Sequence, residues 1–188
     1  MKKITLFICA LSVFAFTKSN AQNQDQMKAW QDYMTPGDVH KMIASSDGTW
    51  NEEVTMWMTP GAPPSKSTAT AENKMILGGR YQQSTTTGSF NGMPFEGQNL
   101  LAYDNAKKVF LSTWIDNMGT GMMEMQGTWD NASKTINFTG TAVDPMTGKD
   151  MNIRETFTLV DNNTQMMDMY ATQDGKEYKT MEVKFTRK

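Results

Sequence analysis

The chain has 188 residues, 38% apolar and 20% charged, a balance foreign both to a disordered tail and to a membrane bundle. Lys2, Lys3 and Lys18 lie in an opening segment read below as a cleaved signal. Without them 15 basic residues face 20 acidic ones, a charge of about −5 that excludes a nucleic-acid binder built on a basic face. The one cysteine, Cys9, falls in the same segment, so the mature chain has no disulfide, thiolate nucleophile or cysteine metal site.

Lys2 and Lys3 precede an apolar run from Ile4 to Phe16, and Ser19 and Ala21 occupy the small positions that a signal peptidase reads. Residues 1–21 are therefore expected to be a signal peptide, with Gln22 to Lys188 exported to the periplasm or beyond. The apolar run falls short of the roughly 20 residues a spanning helix needs, and no later stretch is apolar enough to span. Cys9 sits inside the run, after Phe7 and Ile8, whereas a lipid-bearing cysteine ends such a run behind small residues; the mature protein reads as non-lipidated.

Residues 22–47 carry two short helical patterns. Met27, Trp30 and Met34 recur at helical spacing, and Thr35-Pro36 offers an N-cap and a first-turn proline before Val39, Met42 and Ile43. From Thr49 onward the period becomes two. Turn clusters recur about every ten residues: Thr59-Pro60-Gly61, Gly78-Gly79, Asn91-Gly92, Asp104-Asn105, Asn117 to Gly119, Asp130-Asn131, Asp144 to Gly148, Asp161 to Asn163 and Asp174-Gly175. Nine turns make ten strands, and with no helix-length segment between them the connections are hairpins and the sheet antiparallel. Met181, Val183, Phe185 and Arg187 share one face of the last strand; Ile136 with Phe138, and Trp50, Val54 and Met56, repeat the pattern. Ten such strands would leave long edges in a flat sheet, so residues 48–188 are predicted to be an all-β, up-and-down barrel with the two N-terminal helices at one mouth.

Gly48-Thr49-Trp50 opens the first strand behind a short helix, and Phe185-Thr186-Arg187-Lys188 closes the last. This resembles the calycin arrangement of lipocalins, fatty-acid-binding proteins and nitrobindins, in which a Gly-x-Trp and a late basic residue pack across the barrel's closed end. A larger pattern is more specific: His40, Gly48-Thr49-Trp50, the run from Glu72 to Arg80, Phe95-Glu96-Gly97, Ala102-Tyr103-Asp104, the run from Ser112 to Asp116, and Thr186-Arg187-Lys188. Over about residues 38 to 188 the chain resembles an exported bacterial family of unknown function, DUF1579. That resemblance implies no activity.

The candidate ligand-binding residues are His40, Trp50, Glu52, Trp114, Asp116, Met123, Met125, Met167, Met169 and Arg187. Trp50 and Arg187 would make either an anion receptor, a guanidinium on an indole, or a structural plug. His40 is the only imidazole, which leaves no multi-histidine zinc site. It reads as a helix-end residue bonded to a neighbouring loop, with haem ligation at a barrel mouth the sharper alternative. Methionine takes 17 of the 167 residues after Ala21. Thioethers favour Cu(I), yet Met123 with Met125, and Met167 with Met169, alternate onto single strand faces, the geometry of a deformable cavity lining. Glu52 lies beside Trp50 and Val54, and Glu155 beside Ile153 and Phe157, on faces that otherwise look inward. A carboxyl there either works as an acid or base with a raised pKa or pairs with Arg187, Arg154 or Arg80. Phosphate loops, dinucleotide turns and nucleophile elbows are absent from the sequence, and no catalytic residue set is legible. The reading that follows is a non-enzymatic binder of a small apolar or amphipathic molecule in a barrel lumen gated by the N-terminal helices. A filled-barrel interaction module of the cell envelope comes second, and an enzyme using Glu52, Glu155 or Asp116 third.

Overall fold

The computed structural model describes residues 23–173 and 175–188; the signal segment read over 1–21 lies outside the described residues. The chain is helical over residues 23–34 (α1) and Asp38–Ala44 (α2). Ten strands follow: β1 Gly48–Met56, β2 Ser65–Ile76, β3 Tyr81–Phe90, β4 Met93–Asp104, β5 Val109–Asp116, β6 Met123–Asp130, β7 Thr135–Asp144, β8 Lys149–Asp161, β9 Thr164–Gln173 and β10 Lys176–Arg187. Each of the nine turn clusters lies at a junction of consecutive strands, with Asp104, Asp130, Asp144 and Asp161 the last residues of theirs. Every strand pairs antiparallel with its neighbours in sequence, and β1 also pairs with β10, Trp50 opposite Arg187 through Met56 opposite Met181, so the sheet closes into a barrel without edges.

Residues 23–35 lie outside the barrel unit, which begins at Pro36. Among them, Trp30 and Tyr33 meet edge to face with ring centroids 6.1 Å apart. The expected cap at Thr35-Pro36 is corrected by the structure. Thr35 bonds back to the Gln31 carbonyl at the end of α1, and Gly37 is the N-cap of α2. The reason is local: a threonine hydroxyl one turn behind the end of a helix finds a free carbonyl.

Helix α2 belongs to the barrel unit. Its Ile43 joins a core of Phe110, Met125, Ile136, Phe138, Ile153 and Ala171, with Val39 and Met42 packed against it. The strand-end order puts the α2 end together with the loops after β2, β4, β6 and β8. The loops after β1, β3, β5, β7 and β9 stand at the opposite mouth.

Candidate functional site

The end under α2 is sewn shut. The Trp50 ring is fully buried and its Nε1–H donates to the Ser46 carbonyl at 2.9 Å. The Arg187 guanidinium lies over that ring, 4.2 Å from the centroid. It donates to the carbonyls of Asp47 at 2.6 Å, Ser45 at 2.7 Å and Asn162 at 3.0 Å. A cation here satisfies carbonyls that the C-terminus of α2 leaves open. Gly48 is part of the same device: its φ is +119°, and a Cβ would sit 3.1 Å from the guanidinium nitrogen. Gln82 donates to the Ile43 carbonyl and the Asp47 carboxylate, Gln165 to the Ser46 hydroxyl, and Asn73 to the Ser46 carbonyl. Arg187 is thus a structural plug, with its guanidinium nitrogens turned to backbone acceptors.

Above the plug is a lumen of about 460 Å³, within the range of small-molecule pockets. Its lining runs from Ile43 and Gln165 at the plugged end to Met58 and Met118, both exposed, at the far mouth. Nine methionines line it: Met42, Met56, Met58, Met118, Met123, Met125, Met167, Met169 and Met181. Phe90, Phe95, Trp114, Phe138, Phe157 and Phe185 complete the apolar wall. Trp114 stacks on Phe95 at 6.4 Å and lies against Gly97, where a Cβ would come within 2.4 Å of the indole. The glycine lets the ring lie flat across the neighbouring strand.

Three carboxyls share this wall. The Asp116 carboxylate accepts the Trp114 Nε1–H at 2.7 Å and the Met118 N–H at 2.9 Å, which fixes the indole at the mouth. Glu52 is buried and accepts the Thr86 hydroxyl at 3.2 Å; burial pushes its carboxyl up to about 7, against the lowering effect of that hydrogen bond. Glu155 is buried with no hydrogen bond from the described residues, and burial alone pushes it up to about 7. The expected arginine partners are elsewhere. Arg187 is in the plug, and Arg154 points outward to a bidentate pair with Glu177 at 2.8 Å, stacked on Tyr170. Carboxyls titrating near neutrality can exchange a proton with a bound molecule; among the described residues the Thr86 hydroxyl is the one side-chain group hydrogen-bonded to Glu52, and none is hydrogen-bonded to Glu155.

Of the ten candidate residues, the structure brings Glu52, Trp114, Asp116, Met123, Met125, Met167 and Met169 together on the lumen wall. Trp50 and Arg187 lie beneath it, in the plug. His40 is the helix-end residue that the sequence predicts and is not a lumen residue. Its Nδ1 accepts the Gly37 N–H at 3.1 Å in the cap of α2, its ring meets Tyr103 edge to face, and burial lowers its pKa. The only imidazole is committed to holding the helix, so it does not fit a haem ligand in the lumen. Of the two helices expected to gate the lumen, α2 is bound into the plugged end, opposite the mouth lined by Met58 and Met118. Sequence reading missed Thr86 and Gln82, whose strand β3 alternates without an apolar face, Gln165, a polar residue on the Met167 and Met169 face of β9, and the mouth residues Met58 and Met118 in turns.

The fold and lumen define a class, the calycin-like barrels with one plugged end and one open one. Within it, the family described as Protein of unknown function (DUF1579) matches residues 35–187, and the chain belongs to that family. No curated protein matches the chain significantly. Among solved structures it is similar to Rv2717c from M. tuberculosis, with 11% identity, a TM-score of 0.61, and coverage of 82% of this chain and 99% of that one. It is also similar to the S-type phycobiliprotein lyase CPES from Guillardia theta, with 11% identity, a TM-score of 0.54, and coverage of 84% and 95%. At such identity the likeness is one of fold. Among the described residues no helix is long and apolar enough to cross a membrane.

Proposed function

We propose that the protein binds a small apolar or amphipathic molecule in its lumen, and that it does so as an exported, non-lipidated protein beginning at Gln22. The observation that carries the reading is the lumen itself, about 460 Å³ lined by nine methionines and six aromatic rings and opening at a mouth opposite the plug. Methionine side chains re-pack around occupants of different shape, which suits a pocket of broad tolerance. The fold likeness to a phycobiliprotein lyase supports a barrel of this kind hosting a functional site. Native mass spectrometry of freshly purified protein, followed by denaturing extraction and thermal melts with apolar and amphipathic compounds, tests it. A retained or stabilising small molecule is expected; the absence of any shift across such a panel would leave the filled-barrel interaction module as the better account. Intact mass from the native envelope fraction tests the export reading, which fails if residues 1–21 or acyl chains are retained.

A further inference from the structure

The charge of the lumen wall narrows its occupant. Glu52, Glu155 and Asp116 face it, and among the described residues no lysine, arginine or histidine does. Asp116 is already engaged by Trp114 and Met118. Glu155, 9% exposed, receives no hydrogen bond from the described residues; Glu52, 6% exposed, receives only that of Thr86. Their neighbours across the sheet are Phe138 and Met169 for Glu155, and Ala69 and Phe185 for Glu52, none of them charged. Buried polar groups are as a rule partnered, so an unpartnered carboxyl aimed into a cavity marks the place where a donor is missing.

We infer that the lumen selects amphiphiles headed by an amine, with Glu155 as the principal acceptor and Glu52 as the second, and that it disfavours carboxylate-headed lipids. The inference rests on the reading of the lumen as a ligand site and adds the polarity of the head group. A protonated amine has three donors and no acceptor, the complement of the two glutamates, and the contact is charge-assisted; the wall hydroxyls of Ser67, Ser84 and Ser89 can give or take a hydrogen bond and carry no charge. A hydroxyl offers one donor and no charge. A carboxylate offers neither, and beside a buried carboxyl it must take up a proton or suffer repulsion. The thioethers and rings around the two glutamates accommodate the apolar body, and aromatic faces tolerate a nearby cation.

The test uses the full mature chain and three probes of one chain length, dodecylamine, dodecanol and dodecanoate, below their micelle-forming concentrations near pH 8. Affinities are read by displacement of an apolar fluorescent dye. Dodecylamine is expected to bind about tenfold or more tightly than dodecanol, the worth of one charge-assisted hydrogen bond, with dodecanoate weakest. In Glu155→Gln the amine's advantage over the alcohol is expected to shrink severalfold, and in Glu52→Gln by less, with circular dichroism confirming the barrel. Equal affinities, or dodecanoate tightest, overturn this inference and leave the apolar-ligand reading standing. An amine preference unchanged in both variants overturns it too, since general attraction to an acidic protein would survive either change. Binding of none of the three overturns both readings. The wild-type series decides the order of head groups even if a variant does not fold.

Discussion

The two ends of the barrel treat buried polarity in opposite ways. At the plugged end a guanidinium sits against a fully buried indole, yet its nitrogens meet three backbone carbonyls, and Gln82, Gln165 and Asn73 find acceptors on the tail of α2. In the lumen, Glu155 has no donor among the described residues and Glu52 has one. The plug cluster, satisfied among the described residues except for the buried Asn73 Oδ1, specifies one arrangement and holds it, whereas the lumen glutamates keep acceptor capacity that a bound molecule can fill. The contrast teaches where stability and function reside: the plug is scaffold, the methionine wall with its bare carboxyls is the working surface.

The sharpest way to break this comparison is at the plug. Arg187→Ala removes the stacking on Trp50 and strands three carbonyls, and a loss of about 3–4 kcal/mol is expected, read as a shift of the denaturant midpoint. An unchanged midpoint would mean that the plug does not hold the barrel.

Next comes the lumen, through pH. The unfolded Glu155 carboxyl titrates near its ordinary 4.5 and the folded one near 7, so the folded state binds the proton more tightly; stability held below about 4.5 is lost as pH rises through 7. Glu155→Gln lacks this loss, so the variant is expected to gain on wild type by about 3 kcal/mol between pH 4.5 and 8, measured by urea melts across that range. His40 at the plugged end carries the opposite sign. Its folded pKa lies below the usual 6.5, so its contribution is present above that value and is lost on the acid side. A Glu155→Gln variant that tracks wild type at every pH would place the carboxyl in water.

A smaller effect is expected at Gly97. An added methyl meets the Trp114 indole, so Gly97→Ala should cost roughly 1–3 kcal/mol and displace the ring from the mouth, visible as a change in tryptophan fluorescence. The smallest belongs to the wall: Met167→Leu and Met169→Leu together should cost less than about 1.5 kcal/mol each while narrowing the range of apolar compounds that shift the melt. A large loss of stability there would make those methionines structural filling.

Much of the fold was legible from local chemistry. Turn residues and period-two alternation located ten strands because hairpin geometry demands Gly, Asn and Asp at the bends and one buried face per strand. The same alternation put Glu52, Met123, Met125, Met167 and Met169 on inward faces. It was silent for β3, where Gln82, Ser84 and Thr86 face inward with no apolar rhythm, and for Met58 and Met118, which lie in turns. The helix cap was misplaced by two residues because Thr35 had a competing carbonyl in its own helix.

By itself, then, the sequence determined the number of strands, their hairpin order, which side chains point inward, and the acidic, cysteine-free character of the chain after Ala21, since each follows from residues within a few positions of one another. Only the tertiary structure decided that Arg187, 137 positions from Trp50, closes the plug, that His40 caps a helix and does not line the lumen, and that Arg154 leaves Glu155 alone. Those are questions of partner choice. An inward-facing charge has the same local signature whether or not a partner reaches it, and the partner comes from whichever strand the closed barrel brings alongside.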